Sequence, residues 1–223
     1  GGAYCSPVLR RRALDLISED VITVFGSNET GNLAWGRSRE MQKIDNWVGK
    51  LFDDVEMAAF DKDGQRLPDG NEGEIRAKPP DEGSGFYIGR YAETPNAFKD
   101  GWFATGDRGL VDENRNLIIA GRLSNVINVG GSKISPELLE DHIRTMPRVF
   151  DVGVAGVPVP EGYEKVCAAV VSDALPSVEM VNAHLIRRRD FSRVHMVKYV
   201  AAIPRTENGK IDRVELKRLC EGI

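Results

Sequence analysis

The 223-residue sequence has few of the residues that build metal centres and disulfide frameworks. Its three cysteines, Cys5, Cys167 and Cys220, lie far apart in the chain and form no Cys-x-x-Cys pair. Its three histidines show no metal-ligand spacing. These absences argue against a zinc site and against structural disulfides. We therefore expect reduced thiols and a cytoplasmic location.

The sequence also lacks an excess of positive charge and any long apolar run. Its formal net charge is −4, which argues against a nucleic-acid-binding surface. It contains no apolar run of about 18 residues and no signal peptide, so we expect no membrane span. Its length allows one large domain or two small ones.

What the sequence does have is a dense motif from Gly121 to Glu137. A cation, Arg122, follows an apolar run, and an alternating segment leads to two adjacent glycines, Gly130 and Gly131. Ser135 followed by proline predicts a helix start, with the serine as N-cap. Taken alone, the stretch is most simply a strand, a turn and a strand.

Residue periodicity predicts a mixture of helices and strands along the chain. We expect helices over residues 7–17, 135–146 and 178–188, and another from about residue 212. We expect strands over 21–25, 55–60, 73–77, 149–157, 166–171 and 198–203, and a hairpin over 110–120. The β-branched run at 21–25 indicates a buried strand.

Three further motifs accompany the Gly121–Glu137 stretch. They are Phe25-Gly26-Ser27-Asn28-Glu29-Thr30-Gly31, Thr105-Gly106-Asp107 and Asn208-Gly209-Lys210-Ile211-Asp212-Arg213. The four motifs, in this order, resemble the adenylate-forming superfamily of acyl-CoA synthetases, luciferases and peptide-synthetase adenylation domains. The resemblance runs from the first residue to the last. It covers only the later part of such an enzyme, because the family's phosphate loop is absent from the sequence.

The resemblance implies an α/β and α+β fold with two parts. Residues 1–123 would be the C-terminal part of the large AMP-binding domain, with a strand-helix piece and a small β-barrel subdomain. Residues 124–223 would be the small, mobile α+β C-terminal lid domain. Ser124 would be the hinge between them, at a position where relatives carry Asp or Lys.

The resemblance also places nucleotide-binding residues at both ends of the first part. Gly2 and Ala3 resemble a loop that lies against adenine. Asp107 would accept hydrogen bonds from both ribose hydroxyls of ATP, because a carboxylate has several lone pairs. Arg122 would donate to the ribose or a phosphate.

The glycine-containing loop after residue 24 would contribute to the same nucleotide site. Phe25 would pack beside the adenine, with Gly26 next to it. Asn28 stands where the family usually has threonine and can still hydrogen-bond. Glu29 would help to hold Mg²⁺ on ATP, because this hard cation prefers oxygen ligands.

The later motifs would serve the reaction itself. Lys210 resembles the family's catalytic lysine, whose ammonium stabilises the charge that develops on the transferring phosphoryl group. Gly130 and Gly131 would let the pantetheine arm of coenzyme A pass close to the backbone.

We therefore expect the parent protein to be an acid:CoA ligase that uses ATP, Mg²⁺ and coenzyme A. It would convert a small carboxylic acid to acyl-AMP and then to a thioester. We expect the chain alone to be an inactive fragment that exposes apolar surface meant for the missing N-terminal part. Two alternatives remain: an adenylation domain that loads a carrier protein, and a non-catalytic nucleotide-binding or interaction module.

Overall fold

The computed structural model describes residue 5 and residues 7–42, 46–79, 97–187 and 192–222. The chain separates into two compact units, Gly1–Ser124 and Asn125–Ile223. No helix in the described part of the chain is long and apolar enough to cross a membrane. The adenine loop predicted at Gly2 and Ala3 lies outside the described residues.

The first unit is dominated by one antiparallel sheet, which follows a single described helix. The elements are α1 (Pro7–Leu16), β1 (Ile22–Ser27), β2 (Gly31–Arg37), β3 (Trp47–Leu51), β4 (Met57–Phe60), β5 (Gly73–Ala77), β6 (Phe98–Lys99), β7 (Trp102–Val111) and β8 (Asn116–Arg122). The strand order is β1-β2-β3-β8-β7-β5-β4, and β6 pairs with β7. The strands of the predicted barrel subdomain thus belong to the same sheet as β1 and β2.

The strand predicted to be buried at 21–25 is instead at the edge of this sheet. β1 pairs with β2, and its side chains alternate between exposed and half-buried. Ile22 and Val24 are 52% and 48% exposed, whereas Phe25 packs against the buried cluster. The prediction of burial was wrong because a β-branched run indicates a strand without indicating what covers each face.

The buried cluster of the first unit contains side chains from β2, β3, β4, β5, β7 and β8. Its fully buried members include Leu33 on β2, Ile75 on β5 and Leu117 on β8. These residues come from strands far apart in the chain. Their burial therefore depends on the complete sheet, and the sheet holds the ends of β7 and β8 in place.

The second unit begins with a short hairpin and continues as a sheet with three helices. The elements are β9 (Ile127–Val129), β10 (Ser132–Ile134), α2 (Pro136–Arg144), β11 (Val149–Pro158), β12 (Glu164–Ser172), α3 (Val178–Arg187), β13 (Met196–Tyr199) and α4 (Arg213–Glu221). β12 is central in the three-stranded sheet, antiparallel to β11 and parallel to β13. The predicted mixed fold is confirmed, although the strand predicted at 198–203 ends at Tyr199.

Both faces of the central strand are covered. Val166, Ala168 and Val170 pack in the cluster that includes side chains of α2 and α3. The intervening Cys167 and Ala169 pack in a second cluster with side chains of α4. This arrangement explains the continuous apolar run in β12, because a strand buried on both faces needs no polar alternation.

Neighbouring residues of α3 provide a test of this packing. Leu185 is fully buried and Ile186 is 58% exposed. We expect Leu185→Ala to lower the free energy of unfolding by about 2–5 kcal/mol, because the lost side chain leaves a cavity. Ile186→Ala, the matched control, should change it by about 0.5 kcal/mol or less. Urea denaturation measures both values, and equal losses would contradict the assigned packing.

Candidate functional site

The side chains of Asp107 and Arg122 meet across two paired strands. The register of β7 and β8 sets these residues opposite each other. Arg122 Nη1 donates to Asp107 Oδ1 at 3.0 Å and to the carbonyl oxygen of Thr105 at 2.7 Å. The Asp107 side chain is only 11% exposed and that of Arg122 is 52% exposed. The pair thus presents a cation next to a largely buried acid.

The Thr105-Gly106-Asp107 sequence shapes the backbone around this pair. Thr105 Oγ1 donates to the carbonyl oxygen of Ile75 at 2.9 Å and accepts from the Asp107 amide at 3.1 Å. Gly106 has a φ of 73°, which favours glycine. A Cβ at Gly106 would lie 3.6 Å from the Arg122 guanidinium. The threonine and the glycine therefore fix where the acid points.

The Phe25–Gly31 motif forms the tight turn between β1 and β2. A Cβ at Gly26 would lie 2.2 Å from the carbonyl oxygen of Gly31, so close backbone approach requires glycine here. Asn28 is exposed and Glu29 is half-buried within the turn. Ser27 and Thr30 hydroxyls hydrogen-bond at 3.0 Å across its base.

Glu29 is compatible with a magnesium site that is completed by a nucleotide. In the described part of the chain, no three His, Cys, Asp or Glu side chains are grouped to hold a metal ion. Mg²⁺ at nucleotide sites usually takes one or two carboxylates, with phosphates and waters as the other ligands. A single carboxylate in a loop fits that donor set.

The predicted hinge lies at the boundary between the two units. Ser124 is exposed in a single 3₁₀ turn, Leu123–Asn125, and the second unit begins at Asn125. Within that unit, Asn125 Nδ2 donates to Glu137 Oε1 at 2.7 Å. The first residue after Ser124 is thus attached to α2.

Gly130 and Gly131 form the two-residue turn of the β9–β10 hairpin. Val129 pairs with Ser132, and the glycines have φ values of 57° and 93°. Such a turn needs positive φ at both central residues. No atom lies within 4 Å of a Cβ at either glycine, so both backbones face open space.

Lys210 lies in a small loop whose backbone is well constrained. The Thr206 amide donates to the Lys210 carbonyl oxygen at 2.8 Å, and the Gly209 amide donates to that of Thr206 at 2.8 Å. Arg205 Nη1 donates to the Gly209 carbonyl oxygen at 3.0 Å. These hydrogen bonds hold the loop backbone, while the Lys210 residue is exposed to solvent.

Arg213, three residues later, anchors this loop in the second unit. Its guanidinium pairs with both oxygens of Glu140 and donates to Glu137 Oε1 at 3.3 Å and to the Val154 carbonyl oxygen at 2.9 Å. The Glu140 side chain is only 6% exposed. Burial raises the pKa of Glu140, and the positive charge of Arg213 opposes that rise.

Ser135 is placed as predicted at the N-cap of α2, but its hydroxyl has a different partner. It donates to Glu137 Oε2 at 2.8 Å and makes no capping hydrogen bond to the helix backbone. Glu137 therefore receives hydrogen bonds from the serine, from Asn125 and from Arg213. Sequence reasoning missed Glu137 and Glu140, because only the fold brings Arg213 to this helix.

Comparison with known proteins identifies the family. Residues 138–210 match the family model described as the AMP-binding enzyme C-terminal domain. The chain is 32% identical over 230 residues to a salicylyl-CoA synthase / salicylate adenylyltransferase from a Streptomyces species, covering 100% of the chain and 41% of the relative. The chain belongs to the adenylate-forming superfamily.

Other proteins match over similar lengths. A fatty acid–[acyl-carrier-protein] ligase from Streptomyces coeruleorubidus is 28% identical, covering 97% of the chain and 43% of the relative. The crystal structure of ATP-bound MatB from Rhodopseudomonas palustris is 26% identical with a TM-score of 0.79, covering 97% of the chain and 44% of that structure. The chain thus spans less than half the length of these relatives.

The Arg213 cluster can be tested by removing the cation alone. Arg213→Met should lower the free energy of unfolding by about 3–5 kcal/mol, because it leaves a buried carboxylate unpaired. Arg218→Met, the matched control, removes a 64% exposed side chain on the same helix and should cost about 0–1 kcal/mol. Denaturant unfolding at neutral pH measures both.

The loss should also depend on pH in a defined direction. Without Arg213 the folded-state pKa of Glu140 would lie further above its unfolded value, so the folded state would bind the proton more tightly. The stability of Arg213→Met should therefore fall as pH rises between those two values. A pH-independent gap to wild type would contradict the assigned partner.

Proposed function

We propose that the chain is the C-terminal part of an ATP-dependent acid:CoA ligase. The observation that carries the proposal is the cross-strand pair of Asp107 and Arg122. A largely buried carboxylate beside a half-exposed guanidinium suits a ribose on one side and a phosphate on the other. Asp107 would accept from the ribose hydroxyls, and Arg122 would donate to the nucleotide.

The first half-reaction would join the acid to the nucleotide. A carboxylate oxygen of the substrate attacks the α-phosphorus of ATP, the bond to the bridging oxygen of the β-phosphate breaks, and pyrophosphate leaves. The positive charge of the Lys210 ammonium would stabilise the negative charge that develops on the phosphoryl oxygens. Its constrained backbone and exposed side chain support this role.

The remaining residues of the nucleotide site would bind and orient ATP. Glu29 would hold Mg²⁺, which neutralises phosphate charge when bound. Gly26 and Asn28 belong to the same turn, and Phe25 would contribute an aromatic face for adenine. The ATP-bound relative supports this use of the nucleotide.

The second half-reaction would transfer the acyl group to a thiol. The sulfur attacks the acyl carbonyl carbon, the bond from that carbon to the AMP oxygen breaks, and AMP leaves. The thiol proton passes to solvent. The open backbone at Gly130 and Gly131 would accommodate the narrow pantetheine arm of coenzyme A. The family's rotation of the second unit between the two steps would take place at Ser124.

The whole protein containing this chain tests the proposal by acid-dependent ATP–pyrophosphate exchange. We expect exchange with at least one member of a panel of aliphatic and aromatic carboxylic acids. Lys210→Ala should lower that exchange roughly 10²- to 10³-fold and spare thioester formation from supplied acyl-adenylate. Lys62→Ala, which removes another exposed lysine, is the control. Equal losses in both half-reactions would refute the role of Lys210.

A second acceptor is favoured by one relative, the ligase that acts on an acyl-carrier protein. In that case the same pantetheine arm would arrive attached to a protein. The first half-reaction and its residues would be unchanged. The preference for one acceptor therefore has to be measured separately from the adenylation step.

Competition between acceptors decides this point. With preformed acyl-adenylate and the whole protein, we expect free coenzyme A to give the higher rate of thioester formation. A phosphopantetheine-bearing carrier protein is the comparison, and its unmodified form is the control. A higher kcat/KM for the carrier protein would assign the chain to the carrier-loading class.

A further inference from the structure

Apolar packing and a hydrogen bond on β9 attach the β9–β10 hairpin to the rest of the second unit. Ile127 is 2% exposed and belongs to the core cluster. The next residue, Asn128, donates its backbone N–H to Glu164 Oε2 at 2.9 Å. An ionised acceptor makes this a strong hydrogen bond. The glycine tip thus projects from a strand whose position a carboxylate helps to set.

Glu164 is itself held from several sides. It is the first residue of β12, and its side chain is 26% exposed. Lys217 Nζ on α4 lies 3.7 Å from its Oε1. A Cβ at Gly156 on β11 would lie 2.7 Å from the same oxygen, so that glycine leaves room for the carboxylate. The carboxylate is therefore fixed relative to the sheet.

The contact continues from Asn128 to the tip of the hairpin. Asn128 Oδ1 accepts the backbone N–H of Gly131 at 3.1 Å. Asn128 therefore connects Glu164 to the turn glycine Gly131 through two hydrogen bonds. Among the described residues, no hydrogen bond or ion pair joins Glu164 to Lys210, so mutation can affect one site without the other.

We propose that Glu164 is a positioning residue for the thiol-transfer half-reaction, acting through Asn128 on the Gly130–Gly131 turn. This inference depends on the proposed function, because it assumes that the turn lies beside the pantetheine arm. A displaced turn would change the path of the thiol without changing the groups that act on ATP.

The test uses the whole protein and measures the two half-reactions separately. Glu164→Ala should leave acid-dependent pyrophosphate exchange within about twofold of wild type. It should lower thioester formation from supplied acyl-adenylate roughly 10- to 100-fold, since small displacements in positioned groups have costs of this order. Glu164→Gln retains a carbonyl acceptor for the Asn128 amide and should recover most of the rate. Glu161→Ala, an exposed glutamate three residues earlier, should have no effect.

Hydrogen exchange adds a readout that does not depend on turnover. Glu164→Ala should increase amide exchange in peptides covering residues 126–134, whereas Glu161→Ala should not. If Glu164→Ala fails to fold, Asn128→Ala, at an exposed side chain, tests the same path and should lower thioester formation alone.

The outcomes separate this inference from the proposed function. Two results would overturn the positioning role alone, provided that the wild-type protein is active. Glu164→Ala could form thioester at the wild-type rate, or it could lose both half-reactions equally. Wild-type protein without acid-dependent pyrophosphate exchange would contradict the proposed function, and the inference with it.

Discussion

The second unit depends on one half-buried cation, the Arg213 guanidinium, which contacts two carboxylates of α2 and a carbonyl oxygen of β11. A charge in such a place is tolerated only when opposite charges and hydrogen bonds compensate for lost hydration. The compensation joins the start of α4 to α2 and the sheet. Through Glu137 it also reaches Asn125, the first residue after the predicted hinge. The Lys210 loop and the residue that follows the predicted hinge, Asn125, are therefore both held by the Arg213 cluster.

The first unit positions its candidate site by a different means, the register of a β-ladder. A turn joins β7 to β8, but it does not by itself set Asp107 opposite Arg122. The register shifts by one residue at a bulge next to Arg108, and this shift makes the two residues partners. A shift of one residue would turn one of the two side chains to the opposite face. Thr105 and Gly106 then fix the local backbone. The Asp107–Arg122 pair thus depends on the register of one hairpin and on the neighbouring strand β5.

This difference explains what the sequence could predict. Most helices and strands followed from periodicity, although no strand was predicted over Gly31–Arg37. The predicted hairpin over 110–120, once extended, brings Asp107 towards Arg122, but the bulge that makes them direct partners was not predicted. The partners of Arg213 and Glu164 did not follow, because they depend on contacts between residues tens of positions apart. The edge position of β1 was missed for a related reason. Its apolar residues indicate a strand, whereas its exposed face depends on which elements pack against it.

The strand order of the first unit also has a consequence for how the chain folds. β3 pairs with β8, so that Trp47 faces Ile118, while β4 and β5 occupy the other side of β7. The ends of a long loop must therefore meet before β3 and β8 gain their hydrogen bonds, whereas β7 and β8 pair locally. Such non-local pairing slows folding, because loop entropy is lost before contacts compensate for it. During that delay the apolar faces of the unpaired strands are accessible to other chains, which favours misassembly.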